Sequence, residues 1–318
     1  MDNILKNIQW MIYSLESKMR WKYISYSGEY KYAESRHKYA KSVVEFEEIA
    51  NEKLAQMIVS GKPFMAGRFG LSELFVMRAY ECNLKKKIET SVEQLYKWSG
   101  FFPGTKEMGK KFADVMKDSC AETDYLAIGY QSMEPYFIKK YMKKGLVMAQ
   151  FRCFEPWYGK NPWSRVLKGK KVLVIHPFAK TIATQYERRE QIFPNTEILP
   201  EFTLLTQEAV QTVAGNRDER FDTWFDALDY MYNEAMKKDF DIALLGCGAY
   251  GFPLAAKLKK SGKQAIHMGG MLQILFGIKG QRWDSDPIVA PYYNDAWVRP
   301  SDIEKPKNSN VVEGGCYW

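Results

Sequence analysis

The stretch DIALLGCGAYGFPLAAKLKKSGKQAIHMGG, Asp241 to Gly270, constrains the fold more than any other part of the chain. It reads as an apolar strand, a glycine turn, a helix, and a second strand ending in two more glycines. Further upstream, KKVLVIHPF is a near-continuous β-branched run of the kind a buried parallel strand needs. From Lys171 the order is strand, helix, short strand, helix, strand, helix, strand. That alternation specifies a Rossmann-like three-layer α/β domain with a mostly parallel sheet.

The rest of the chain is placed around that domain. Residues 1–60 read as a helical N-terminal extension and 61–318 as the α/β domain. Within the extension, Val43, Val44, Phe46, Ile49, Leu54, Met57 and Ile58 fall at roughly helical spacing, and His37 is expected on a helix surface. GKPFMAGRFG reads as a turn, a short strand and a turn at Gly70. LSELFVMRAYE then follows as a buried helix with Ser72 as its cap. FRCFEPWYGKNPWSRVLKGK, rich in aromatics, Gly and Pro, reads as an active loop or a domain junction. The tail from Gln281 carries six aromatics and no periodicity, so it is expected to wrap back over the domain as an irregular C-terminal cover.

Composition narrows the partners. The 318 residues are 46% apolar, enough for a substantial core. The net charge of +8 favours an anionic partner: a nucleotide, a phosphorylated substrate, nucleic acid or an acidic membrane face. The lysines are dispersed, and there is no basic tail, reading helix or RNP-like strand, which argues against nucleic acid. Five cysteines at 82, 120, 153, 247 and 316 form no CxxC pair. They are read as reduced thiols of a cytoplasmic protein rather than as a redox or zinc site. MDNILKNIQWMIYSLESKMRWKY is too polar for a signal peptide and has no 18-residue apolar run. It reads either as a packed first helix or as an amphipathic helix on a membrane face or a partner.

In an open α/β sheet, ligands sit outside the carboxyl ends of the strands. Gly246, Gly248 and Gly251 stand at such an end. The helix start behind them, with Pro253 in its first turn, presents free amides to a phosphate or diphosphate. The bland alternative is a tight strand–helix turn and nothing more. The spacing is literally GxGxxG, yet the next strand ends in His267 and Gly269-Gly270 instead of the acid that would hold a ribose, which argues against NAD. Tyr250 lies inside the turn. His176 ends another strand and would face the same edge. Gln273, Lys279 and Arg282 follow close behind, the last two as positive charge for a phosphate. Two distant histidines make no metal signature.

RFGLSE, LLGCGAYGFPLAAKLKKSGKQAIHMGG and the endings NDAWVRPS and VEGGCYW resemble the bacterial GT-D fold glycosyltransferases of surface polysaccharide and adhesin glycosylation. The resemblance covers about residues 60–82 and 170–318. It implies a Rossmann-like domain using a nucleotide-diphosphate sugar, typically UDP-hexose, with a divalent metal, Mn2+ or Mg2+. The family's Arg-Phe-Gly-Asp-Gly-Glu stretch matches Arg68 to Glu73. Leu71 stands where the aspartate would be, and leucine ligates no metal, so the metal is the part of the pattern this chain departs from. Glu73 is retained.

The expectation is therefore transfer of a hexose from a nucleotide-diphosphate sugar to a glycan acceptor, free or lipid-linked, at the inner face of the membrane. Glu73 and His267 are the catalytic candidates. Arg68, His176 and the glycine turn are the binding candidates. The alternative is a non-catalytic assembly or regulatory subunit of a polysaccharide complex; the oligomeric state is open.

Overall fold

A computed structural model describes residues 4–8, 11–15, 18–19, 37–312 and 314–318. The elements in chain order are β1 (His37–Tyr39), β2 (Ser42–Glu45), α1 (Glu47–Val59), β3 (Phe64–Gly67), α2 (Leu71–Glu81), α3 (Lys85–Ser99) and α4 (Lys106–Glu122). They continue with β4 (Tyr125–Ile128), α5 (Glu134–Tyr141), β5 (Val147–Gln150), β6 (Lys171–His176), α6 (Ala179–Tyr186), α7 (Arg189–Ile192) and β7 (Thr203–Glu208). The last are α8 (Trp224–Met236), β8 (Ile242–Leu245), α9 (Gly251–Lys260), β9 (Gln264–His267) and α10 (Leu272–Leu275).

The strands form one sheet in the order β1-β2-β5-β4-β3-β9-β8-β6-β7. Every neighbouring pair is parallel except the β1–β2 hairpin. Alternation along the strands sorts their side chains onto two faces. Leu173, Ile175, Ala243, Leu245 and Ala265 enter one apolar cluster, with α2, α4, α8 and α9 over it. Val172, Val174, Ile242, Leu244 and Ile266 enter the other, beneath α1, α6 and the tail. Both faces are covered, which is why these strands read as unbroken apolar runs. The three-layer α/β arrangement expected from the sequence is the one observed.

Residues 37–45 depart from the helical reading. Ala40 and Lys41 have φ of 51° and 65°, the geometry of a two-residue hairpin turn, and Tyr39 faces Ser42 across it. β2 then pairs with β5 through Val44 and Met148. The β-branched Val43–Val44 pair fits the sheet edge better than a helix. His37 therefore lies on a strand, with Nε2 2.7 Å from the Tyr130 hydroxyl.

Helix starts follow local chemistry. α8 begins at Trp224 because Thr223 and Asp226 form a reciprocal capping box. α2 is capped at Gly70 without a side chain, so Ser72 is not its cap. The hydroxyl of Ser72 instead donates to Glu73 Oε2 and lies 2.6 Å from Ser99 Oγ.

The tail packs back over the second face. Trp283, Val289, Ala296 and Trp297 are buried in it. Glu304 accepts hydrogen bonds from the Lys180 and Thr181 amides at the start of α6. Gln185 donates to the Ala296 carbonyl at 2.8 Å. No helix among the described residues is long and apolar enough to cross a membrane.

One feature of the connectivity positions the site. From β6 the chain runs through α6, on one face, to β7. From the adjacent β8 it runs through α9, on the other face, to β9 in the opposite direction. The carboxyl ends of β6 and β8 thus flank the crevice where open α/β sheets receive ligands.

Candidate functional site

A cavity of about 520 Å³ lies at that crevice. Strand ends supply its floor: Arg68 after β3, His176 on β6, Gly246 after β8 and His267 on β9. Of the residues singled out from sequence, Arg68, Glu73, His176, Gly246, Gly248, Tyr250, His267, Gly269, Gly270, Gln273 and Arg282 all line it. Gly251 and Lys279 do not. Lys279 places its ammonium over the Tyr293 ring at 5.1 Å, and its amide donates to Val298. The turn that carries it is tied to the tail and not to the crevice. Gly251 sits behind the site, under the His267 ring.

Arg68 is the least satisfied charge here. It has no hydrogen-bond or ion-pair partner among the described residues, only the Phe151 ring 5.9 Å from its guanidinium carbon. Burial opposes its charge, Tyr317 and the Glu155 and Glu73 carboxylates support it, and Arg282 repels it. A guanidinium stays protonated in such a place, so its field is available to an anion. Arg282 lies beyond it, donating to the Tyr317 hydroxyl at 3.2 Å.

Both histidines are neutral. Burial pushes His176 down to about 3. Its Nδ1 accepts the Phe178 amide at 2.9 Å, which leaves the proton on Nε2 as a donor. Burial, with Arg68 adding to it, holds His267 at about 3. Among the described residues its Nδ1 has no hydrogen-bond partner, and neither do Gln273 Oε1 and Trp318 Nε1, two more buried atoms of cavity residues.

Glu73 turns back over its own helix start. Its Oε2 lies 2.0 Å from where a β-carbon on Gly70 would stand, so only glycine at 70 leaves it room. Burial raises its pKa, against the pull of its own amide, the Ser72 hydroxyl and Arg68.

The glycine turn is partly committed to the sheet. The Gly246 amide donates to Ile175 at 3.0 Å. Gly248 to Tyr250 then form a short 3-10 turn before α9, and the amides at such a start have no earlier carbonyl within it. Tyr250 presents a wall rather than a hydroxyl: it stacks on Trp224 at 4.8 Å, and its OH lies 3.2 Å from Thr212 Oγ1. Gln273 Nε2 donates to the carbonyls of Ile278, Lys279 and Tyr317, which fixes Tyr317 and Trp318 as the far wall.

Three charged residues of the cavity escaped the sequence reading. Arg152 grips both oxygens of Glu155 at 3.1 and 3.0 Å, and donates to Asp286 Oδ2 at 2.8 Å. Burial raises Glu155 to about 7, with Arg152 opposing and Asp286 adding. The available signal was an Arg and a Glu set in the aromatic, Pro-rich loop after β5. Asp286, 134 residues from Arg152, had no such signal.

The carboxylates of the cavity are engaged by protein donors. Leu71 puts an exposed apolar side chain at the rim. Glu73 Oε2 accepts from Ser72, while Glu155 and Asp286 both accept from Arg152. Among the described residues no group of three His, Cys, Asp or Glu side chains is placed to hold a metal.

No protein-family model matches the chain, and no curated protein matches it. Two solved structures resemble it, each at 12% identity, covering 81% of this chain and 96% of theirs. One, at a TM-score of 0.40, is described as the selenomethionine-substituted structure of domain of unknown function 1792. The other, at 0.37, is described as showing that this highly conserved domain has a distinct glycosyltransferase fold. These likenesses are distant, and the chemistry of the site stands on its own residues.

Proposed function

We propose that the chain is a glycosyltransferase that moves a hexose from a nucleotide-diphosphate sugar, UDP-hexose first among them, to a glycan acceptor in surface polysaccharide synthesis. The observation that carries this is Arg68: a largely buried guanidinium in no direct ion pair among the described residues, at the carboxyl end of a central parallel strand, in a cavity rimmed by a glycine turn. A diphosphate would supply the missing negative charge. His176 Nε2–H and the amides of the Gly248–Tyr250 turn are further donors on the same wall.

As the sugar–phosphate bond breaks, negative charge grows on the leaving diphosphate. Arg68 and Arg282 stabilise that charge more in the transition state than in the bound donor. In this reading the role falls to the guanidinium groups. Glu73, its pKa raised, accepts the acceptor hydroxyl's proton. His267 is held too low to take a proton near neutrality, so its part is to pack as a neutral ring beside Arg68. Phe151, Trp283, Tyr317 and Trp318 wall the cavity and exclude water.

A thermal-shift screen of UDP-, GDP-, CMP- and dTDP-sugars, with and without manganese, tests the reading, followed by product analysis with the donor that binds. Stabilisation by one nucleotide sugar without manganese supports it. Failure of all of them, with stable capture of a partner glycosyltransferase, would favour the assembly-subunit reading instead.

A further inference from the structure

A second cavity, of about 720 Å³, opens beside the first and shares Pro177, Val210 and Gln211 with it. It lies at the carboxyl end of β7, the last strand of the sheet, and is walled by side chains of α8 and by the tail from Ile303 to Pro306. Donor binding at Arg68 leaves it empty of any role.

Its lining is held in place by contacts of its own. Arg220 grips both oxygens of Asp218, at 2.9 and 2.6 Å. The guanidinium carbon of Arg220 stands 5.0 Å from the Phe221 ring centre and 5.2 Å from that of Tyr230, so aromatic rings back the ion pair. Asn216 donates to the Val213 and Lys307 carbonyls at 2.7 and 2.8 Å, which ties the loop after β7 to the tail. Gln207 of β7 is only 8% exposed. Its Nε2 donates to the Met231 carbonyl at 2.9 Å, while its Oε1 has no partner among the described residues. A buried acceptor is costly unless something donates to it, and a ligand hydroxyl can.

The charge of the lining selects the kind of ligand. Arg217, Arg220, Lys238 and Lys305 stand against five carboxylates. Such a balance sets up no single-signed field to gather a polyanion. The side chains of Arg217, Lys305, Glu208 and Glu219 have no hydrogen-bond or ion-pair partner among the described residues. Free donors and free acceptors therefore lie in one cavity, which suits a ligand that offers both from every hydroxyl. Ile303, 78% exposed on the same lining, adds an apolar contact of the sort the C–H face of a sugar ring takes.

We infer that this second cavity holds the glycan acceptor, and that the acceptor is an oligosaccharide. Its terminal sugar reaches the first cavity past Val210 and Gln211, and the sugars behind it lie at the end of β7. The role as acceptor site rests on the glycosyl-transfer reading; the affinity for saccharide rests on the lining alone.

The full chain is applied to an array of mono- to hexasaccharides from bacterial surface polysaccharides. The glycan that binds is titrated by calorimetry against its own terminal monosaccharide, and should bind about ten-fold more tightly. Asp218→Ala with Arg220→Ala should remove about ten-fold of that preference, and so should Gln207→Met. Affinity for the nucleotide sugar found in the donor screen should not change, because none of the three residues lines the first cavity. Unfolding transitions matching the parent chain show that the variants are folded; Arg220 is exposed, so the alanine pair carries the test should Gln207→Met weaken the fold. Absence of any bound glycan overturns the inference, as does glycan binding indifferent to the alanine pair. Either result beside intact nucleotide-sugar binding leaves the transfer reading standing. Glycan binding that depends on the pair, with no nucleotide sugar bound, supports the saccharide site and removes the transfer reading.

Discussion

The His267 imidazole lies against the backbone of Gly251, its Nδ1 2.0 Å from the point a β-carbon at 251 would occupy. The end of β9 and the start of α9 are thus fitted to each other through one missing methyl group. The third glycine of the turn serves this contact; it does not reach the cavity.

Gly251→Ala must therefore displace either the ring or the helix start. Overpacking of this kind costs about 1–3 kcal/mol, and it moves the neighbour of Arg68. We expect that loss in urea denaturation, with weaker nucleotide-sugar binding. Gly104→Ala is the control, because its added carbon would meet Tyr96 at an ordinary 3.5 Å. Equal effects of the two substitutions would count against the fit.

Arg68 separates stability from function. Its charge is largely buried with no hydrogen bond or ion pair among the described residues, and such a charge is a burden on the folded state. Arg68→Met should leave stability unchanged or raise it, while donor binding falls about ten- to a hundred-fold. Arg68→Lys should fall between, since it keeps the charge and loses the fork. Calorimetric titration with the donor from the screen, alongside thermal unfolding, reads both. A methionine variant that is destabilised and binds normally would remove Arg68 from the anion site.

The parallel sheet was legible because its strands are apolar on both faces, and the strand ends were legible because Gly, His and Arg interrupt those runs. Arg68, His176, Gly246 and His267 therefore meet at one edge as the sequence suggested. What escaped depends on long-range partners. The 37–45 hairpin looks helical by spacing, and only β5 as a neighbour makes it a strand. Asp286 gains meaning only from Arg152 across the fold. Lys279 lies outside the cavity lining for the converse reason: a cation close in sequence to the site is placed against the tail, its ammonium over the Tyr293 ring.

Glu73→Gln keeps the side chain's volume and an oxygen for the Ser72 hydroxyl, but it cannot take a proton. Transfer should fall about 10²–10⁴-fold, with donor affinity unchanged. In the parent chain a carboxylate acting as the proposed base must be ionised, and burial raises the pKa of Glu73. Activity should therefore be lost, as pH falls, at a value above the ordinary carboxylate range. Initial rates across pH, with donor binding measured in parallel, check both points; unaltered turnover in the glutamine variant would exclude Glu73 as the base.

His176 gives the fold an acid-sensitive element whose sign can be worked out. Its pKa falls from an ordinary 6.5 to about 3 on folding, so between those values the unfolded chain binds the extra proton. Its contribution is complete above about 6.5 and is lost as pH falls toward 3, amounting to a few kcal/mol over the window. His267 acts in the same direction. Glu155 and Glu134, both raised to about 7 by burial, act in the opposite one, so the raw pH profile mixes the two. His176→Asn isolates the histidine, because an amide oxygen can still accept the Phe178 N–H while nothing titrates. The variant should be less stable than the parent at neutral pH through lost packing. That deficit should shrink steadily below about pH 6.5 as the parent alone takes up the cost of protonation. Urea denaturation of both proteins across the window measures it, and a deficit that stays constant with pH would show that the ring is not held neutral by the fold.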